Sequence, residues 1–300
     1  MKAKRLIIVT MLALFAAAGV IAKPKAVVGK DGLTLSAYTI QSANVVNPET
    51  GNTLRGTLYL PQKSGKLPLV ITAHELGSND QRRWPFYGQS LASHGVAVYT
   101  FDFAGGGPKT RADGAPGSRS DGETTQMSVL TEVRDLEAVL AEAKNWSFVD
   151  TKKIVIIGGS QGGAVSIVAA GRHADEVAGL VIMYPALYEL EKLIHAYPSA
   201  QDFPESLVMW GMVELGRKYA TDMWDFSFDE SIASYKKPVL LLHGDKDTIV
   251  PFSDSEKLQK AYKNATLKLV PNGAHGFQGE TFEVAIGFIN EYLKEIGVVK

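Results

Sequence analysis

A serine set between glycines is the first residue in this sequence that invites a chemical interpretation. In "IVIIGGSQGGAVSIVAAG" (154–171) four apolar residues run into Gly158-Gly159-Ser160-Gln161-Gly162, after which a helix-like apolar segment resumes. Strand, tight turn and helix in that order form the setting in which a G-x-S-x-G serine is displayed on a strained turn. Glycines flank it because a Cβ would collide with a neighbouring strand or helix. The Gln161 N–H, backed by the helix N-terminus, would then face an oxyanion formed on a carbonyl attacked by Ser160. A phosphate-binding turn is the competing interpretation of the same glycines.

A serine hydroxyl is a weak nucleophile until a base takes its proton, and the base needs an acid to orient it. Two later segments supply both groups, each directly after a strand-like apolar run. "LLLHGDKDTIVP" carries Asp245 and Asp247, and "KLVPNGAHGF" carries His275. Taken singly, Asp247 could be a cap or turn residue and His275 an ordinary loop histidine. The order Ser, Asp, His, with each residue following a strand, is the one a hydrolytic triad on a parallel sheet uses. A fourth segment, "VITAHELGSND", stands where a loop after an early strand gives the second backbone N–H of an oxyanion hole, with His74 to Gly77 in that place. His74 itself is expected to be structural.

These groups need elements to hold them. "LTLSAYTIQSA" and "TLRGTLYLP", separated by the turn-like "NPETGN", suggest an antiparallel start. "LPLVITAH", "GVAVYTFDF", "KIVIIGGS", "AGLVIMYP" and "KPVLLLHGD" are continuously apolar, as strands covered on both faces must be. Helical segments lie between the first four, most clearly at 125–144, where Met127, Leu130, Val133, Leu136 and Leu140 recur every three or four residues. Strand alternating with helix implies a parallel sheet with right-handed crossovers. A last strand, "ATLKLVP", and an amphipathic helix at 282–296 close the chain. Two segments break the rhythm. Residues 104–122 form a long glycine-rich loop. Residues 186–235, rich in aromatic and Met side chains, are either extra helices packed on the body or a lid whose side chains line an apolar pocket, with Trp210 and Trp224 as candidate pocket residues.

Of 300 residues, 45% are hydrophobic and 21% charged, enough to bury a core in one domain, and the formal charge of −1 carries no Lys/Arg-rich run that would suit nucleic acid or an anionic membrane surface. A small molecule is the expected partner. Lys2, Lys4 and Arg5 precede an apolar run ending in small residues, the pattern of a signal peptide, with cleavage expected after Ala22. Export follows, periplasmic or secreted, with no stable membrane association after cleavage; the apolar run is at the short edge of a spanning helix. Residues 23–300 then form one domain. No cysteine occurs, which removes disulfides and thiolate chemistry, and the six histidines show no zinc-type pairing.

Taken together, "FDFAGGG", "SDGETTQMSVLTEVRDLEAVL", "GGSQGG", "HGDKDTIVP" and "GAHGF", in this order and spacing over roughly 54–292, resemble the α/β-hydrolases. Within that superfamily they are similar to the bacterial cinnamoyl (feruloyl) esterases. The resemblance implies a mostly parallel sheet with helices on both faces and a small lid at about 186–235. It implies Ser160 as nucleophile, His275 as base and Asp247 as acid, with the Leu76 and Gln161 amides as the oxyanion hole and no cofactor or metal. Three departures stand out. The oxyanion loop begins His74-Glu75 where His-Gly is usual, so Glu75, a candidate pocket residue with His74, is expected to point away or to pair with Arg82 or Arg83. The loop at 105–120 is long enough to reshape the entrance. Gly159 precedes the nucleophile where histidine is common.

The expected reaction is acyl transfer to Ser160 and then to water, on an ester substrate. Three alternatives remain open: a peptidase of the same fold, which an acidic, amine-binding cluster among Glu189, Glu191, Asp202, Glu205 and Glu214 would favour; a lipase acting at interfaces; and a binding protein without turnover.

Overall fold

The computed structural model describes residues 27–28, 34–80 and 82–300; the expected leader at 1–22 lies outside the described residues. After a two-residue antiparallel pairing of Val27–Val28 with Thr34–Leu35, the main sheet opens with the antiparallel strands β1 (Tyr38–Val46) and β2 (Thr53–Pro61), as the alternation in those segments requires. Then follow β3 (Leu67–Ala73), α1 (Trp84–Ser93), β4 (Ala97–Phe101), α2 (Val129–Ala143), β5 (Val149–Gly159), α3 (Gln161–Arg172) and β6 (Val177–Met183). After the inserted segment, whose two strands and three helices take the intervening numbers, come β9 (Val239–Gly244), α7 (Phe252–Ala261), β10 (Ala265–Val270) and α8 (Glu280–Glu295). The eight main strands form one sheet in the order β10-β9-β6-β5-β3-β4-β2-β1. The six from β10 to β4 run parallel, and β2 is antiparallel to both of its neighbours.

The continuous apolar runs are explained by burial on both faces. In β5, Ile154 and Ile156 join the core under α2 and α3, while Val155 and Ile157 face the core under α1 and α8; β9 divides Val239 and Leu241 from Leu240 and Leu242 in the same way. A strand with period-2 side chains and apolar neighbours on both sides has no polar face to show.

The helix expected at 125–144 begins later, because Ser128 caps it: Thr131 N–H donates to the Ser128 hydroxyl (3.2 Å) and Ser128 N–H to Thr131 Oγ1 (2.8 Å). The long loop is tied back to the sheet rather than hanging free. Arg119 pairs with the buried Asp80 (2.6 Å), and its N–H donates to Asp102 at 2.7 Å.

The insert contains α4 (Leu187–Ile194), α5 (Lys218–Met223) and α6 (Asp229–Ser234), and also a hairpin of β7 (Ser206–Met209) and β8 (Val213–Gly216). The hairpin was foreseen neither by the alternative of extra helices nor by that of a lid. Trp210 and Gly211 both take positive φ (51° and 64°), and Met212 N–H donates to Met209 O at 2.9 Å, the primed turn that suits strand twist.

Candidate active site

Ser160 sits between the end of β5 and the start of α3 with φ 53° and ψ −120°, a conformation that non-glycine residues rarely hold. Its neighbours show why glycine is required. A Cβ on Gly158 would overlap the Gly162 carbonyl, and one on Gly162 would overlap the carbonyl oxygen of Ala73 at the end of β3. Two carbonyls hold the turn from either side of Ser160: its N–H donates to Met183 O (3.0 Å), and its own carbonyl accepts from Gly163 (3.0 Å) and Ala186 (3.3 Å). Strain at this turn is therefore fixed by β6, α3 and the start of the insert together.

The structure brings Ser160, His275 and Asp247 into one hydrogen-bonded chain. His275 Nε2 lies 3.0 Å from Ser160 Oγ, and His275 Nδ1 lies 2.9 Å from Asp247 Oδ2. Since a carboxylate only accepts, the proton sits on Nδ1 and Nε2 is free to take the serine proton. Asp247 Oδ1 accepts the N–H groups of Ile249 and Val250, each at 2.9 Å, which locks the carboxylate. Burial opposes its charge, but hydrogen bonds from His243, His275 and the Val250 amide outweigh that penalty and hold it well below the usual carboxylate range. His243, fully buried, stands behind Asp247 with Nε2 at 3.4 Å from Oδ2. Asp245, the other acid of that segment, is exposed at the strand end, and among the described residues it is Asp247 that bonds His275.

The loop after β3 places Leu76 beside the serine in the lining of one cavity. Its flanking amides are engaged, Gly77 N–H with Gly106 O and Ser78 N–H with Glu75 O, both at 3.0 Å. The Gln161 N–H belongs to the first turn of α3, where no intrahelical carbonyl is available. Glu75 lines the same cavity as Ser160, with its carboxylate engaged by neighbours. It accepts from Arg83 (3.1 Å), from Trp84 Nε1 (3.3 Å) and from the Tyr184 hydroxyl (3.2 Å). Burial would raise its carboxyl, but the Arg83 guanidinium leads the interactions that bring it below the ordinary glutamate value. Of the two cations expected for it, Arg83 is the partner. His74 is buried outside the cavity lining, which corrects its place among the pocket candidates. It accepts from Phe103 N–H through Nε2 (3.1 Å) and donates through Nδ1 to Glu75 O (2.9 Å), holding the loop's backbone, and burial lowers its basicity.

Two positions, Tyr184 and Glu132, and the role of the Gln161 side chain were not evident from the sequence. Tyr184, itself at φ 40°, packs edge-on against the His275 ring with centroids 4.8 Å apart. Gln161 extends its side chain into the core, where Nε2 donates to Glu132 Oε2 (2.9 Å) and Oε1 accepts from the Tyr219 hydroxyl (2.6 Å). Burial pushes the Glu132 carboxyl well above its usual value. A charge on the apolar stripe of α2, three residues after Val129 and one before Val133, is the sequence signal for Glu132. Tyr184 leaves no such sign.

The cavity above Ser160 has a volume of about 530 Å³. Leu190 and Leu193 of α4 and Met209, Trp210 and Met212 of the hairpin contribute its apolar wall. Trp224 is not among the lining residues: its indole packs on His195 with ring centroids at 4.8 Å, so the expectation for that tryptophan is corrected. Phe203, Tyr219, Met223 and Phe228 likewise join the main core rather than the cavity. The acidic residues that would have marked an amine site are dispersed. Glu189, the one of the five that lines the cavity, pairs with Lys192 (2.6 Å), and Glu205 pairs with Arg217 (2.6 Å). Among the described residues no group of three or more His, Cys, Asp or Glu could hold a metal ion, and no helix is long and apolar enough to cross a membrane.

A mostly parallel sheet flanked by helices, with a serine on a strained strand–helix turn and a histidine and aspartate at later strand ends, is the architecture of an α/β-hydrolase. The chain belongs to the prolyl oligopeptidase family, whose model matches residues 86–295. It is 27% identical over 231 residues to the uncharacterized protein YfhR of Escherichia coli (strain K12), covering 75% of this chain and 70% of that one. It is 22% identical over 258 residues to the acylamino-acid-releasing enzyme of Rattus norvegicus, spanning 78% of this chain but 32% of that enzyme's length. Among solved structures, Est1E from Butyrivibrio proteoclasticus with ferulic acid bound superposes with a TM-score of 0.74 at 24% identity, over 84% of this chain and 98% of that one. The Pyrococcus furiosus esterase PF2001 superposes with a TM-score of 0.64 at 20% identity, over 86% and 91%.

Proposed function

We propose that the protein is an exported serine carboxylic-ester hydrolase acting on small or aromatic acyl esters. The observation that carries this is the chain from Asp247 through His275 to Ser160, set on a strained turn that opens into an apolar-walled cavity. Ser160 Oγ attacks the ester carbonyl as His275 Nε2 takes its proton. Asp247 keeps the proton on Nδ1 and stabilises the imidazolium. The amides of Leu76 and Gln161 receive the oxyanion. The acyl carbon–oxygen bond then breaks, His275 returns the proton to the leaving oxygen, and water repeats the sequence to free the acid. No step calls for a cofactor or metal. The ferulic acid bound to Est1E supports an aromatic acyl group for a cavity with this wall.

A peptidase is the second reading, favoured by the family to which the chain belongs. The pairing of Glu189 with Lys192 weighs against it, because an amine-binding site would need that carboxylate unpaired.

The test is hydrolysis of methyl ferulate, p-nitrophenyl acetate, butyrate and decanoate, and an aminoacyl-p-nitroanilide, by protein starting at Lys23 and by Ser160→Ala. Ester turnover that falls by about 10⁴-fold or more in the variant supports the proposal. Cleavage of the anilide alone favours the peptidase, and a preference for decanoate the lipase. N-terminal sequencing of the protein recovered outside the cytoplasm is expected to begin at Lys23.

A further inference from the structure

Gly159 stands before the nucleophile in a stretch of backbone that does not itself ask for glycine. It closes β5, where it pairs with Met183 of β6, and its φ is not positive. What excludes a side chain there is Tyr184. A Cβ on Gly159 would lie 3.0 Å from the Tyr184 hydroxyl oxygen and 3.1 and 3.2 Å from two carbons of its ring. The phenol therefore holds the space in which any side chain at 159 would have to stand, and it reaches that space from the end of the neighbouring strand.

Several contacts fix where the ring goes. Tyr184 turns at φ 40°, and its N–H donates to Leu242 O of β9 at 2.8 Å. Its hydroxyl donates to Glu75 Oε1 (3.2 Å), the carboxylate that also takes Arg83 and Trp84. Its ring meets Phe277 at 83° with centroids 5.0 Å apart, and His275 at 60° and 4.8 Å. The residue is fully buried and is not part of the cavity lining, so it does not meet the substrate. Burial pushes the phenol well above its ordinary value, so it stays protonated as a donor to Glu75 and moves no proton in the reaction.

His275 needs support of this kind. Its loop leaves β10 through Asn272 at φ 57° and continues through Gly276 at φ 89°, and residues 274–277 make no backbone–backbone hydrogen bond among the described residues. Asp247 bonds one ring nitrogen and Ser160 the other. Both bonds lie near the plane of the imidazole, which leaves the tilt of that plane to packing. A base whose nitrogen drifts from the serine hydroxyl loses proton-transfer rate without any change in how substrate binds.

We infer that Tyr184 is a positioning residue of the triad: from the space that Gly159 leaves open, its ring holds the His275 imidazole in line with Ser160, and Glu75 fastens its hydroxyl. The inference rests on the ester-hydrolase proposal for the Ser160 site. It makes the glycine before the nucleophile and the tyrosine after β6 one unit, neither of which can change without the other.

The test compares Tyr184→Leu with Tyr184→Phe, which keeps the ring. Two reactions are followed. One is turnover of p-nitrophenyl acetate, read as kcat and KM. The other is phosphorylation of Ser160 by diethyl p-nitrophenyl phosphate, in which an Oγ–P bond forms as p-nitrophenolate leaves and His275 takes the serine proton; it needs the base but no matched substrate. The p-nitrophenolate released at completion counts competent sites, so unfolded protein does not enter kcat. In Tyr184→Leu, kcat and the phosphorylation rate are expected to fall about tenfold with KM within about twofold of wild type, while Tyr184→Phe stays within about threefold. A Leu variant as fast as wild type per site, or a Phe variant as slow as Leu, overturns the inference. Should Tyr184→Leu fail to fold, Gly159→Ala decides with the core intact. Its Cβ presses on the phenol, and a several-fold fall in kcat is expected that Tyr184→Phe relieves by removing the nearest atom; no fall, or a fall that is not relieved, overturns the inference. If the wild type is phosphorylated but cleaves no ester, the hydrolase proposal fails by itself and the phosphorylation rates decide the role of Tyr184. A wild type that is not phosphorylated overturns both.

Discussion

The Tyr219 hydroxyl donates to the side-chain oxygen of Gln161 at 2.6 Å, so a residue of the inserted segment holds the residue that follows Ser160. Both side chains are fully buried. The amide proposed for the oxyanion hole is thus fastened through its own side chain to α5. Tyr219→Phe leaves Gln161 Oε1 without a donor, and a loss of about 1 to 2 kcal/mol in urea unfolding is expected. If the tether orients the amide, kcat for a simple acetate ester also falls several-fold while KM changes little. A stability loss with kcat intact would show that the tether is structural only.

Glu132 receives the other end of the Gln161 side chain, and its Oε1 has no hydrogen-bond partner among the described residues. Its folded-state affinity for a proton is raised by burial, so the folded protein retains a proton that the unfolded chain gives up above the ordinary glutamate value of 4.5. Stability linked to this group is present at low pH and declines as pH rises toward the elevated folded value. Glu132→Gln keeps an acceptor for Gln161 Nε2 and has no proton to lose. Urea midpoints at pH 5, 7 and 9 are expected to move in favour of the variant as pH increases. A constant difference across the three would refute the linkage.

Glu75 draws together Arg83, Trp84 and Tyr184, and Tyr184 in turn carries the face of His275. Restoring glycine at this position would remove the acceptor for three donors. Glu75→Gly is accordingly expected to impair rather than improve turnover, with a stability cost of about 2 kcal/mol or more. Glu75→Gln keeps one acceptor oxygen and is expected to fall between. Esterase rates and thermal unfolding of the two variants, measured together, check the order.

The hairpin tip supplies Met209 and Trp210 to the cavity wall. Met209→Ala with Trp210→Ala removes apolar contact from the acyl side without touching the hydrogen-bonded chain. KM for an aryl-acyl ester is expected to rise by roughly tenfold, with a smaller change for acetate, since the lost contact area scales with the acyl group. Equal effects on both esters would move the acyl group away from the hairpin.

Ser160, Asp247 and His275 were legible because each follows a strand whose two-faced burial writes itself into the chain as an apolar run. Strand ends in such a sheet meet on one edge, so order and spacing imply proximity. The places of Leu76 after β3 and Gln161 after β5 follow from the same strands, while their part in an oxyanion hole belongs to the proposal. Tyr184 was not, because its role depends on a positive-φ turn after β6 that brings it against His275. In the insert, composition announced apolar side chains but not their direction. Trp210 is carried to the cavity by the turn it shares with Gly211, while Trp224 ends on His195. The "MWGM" turn was the clue to a hairpin in a segment for which extra helices or a lid had been the alternatives.

The same turn shapes how the molecule meets its surroundings. Val208 and Trp210 are each 61% exposed and Met212 44%, which gives the protein a greasy edge at the mouth of its cavity. At a boundary between water and an apolar phase, such an edge wets the apolar side first.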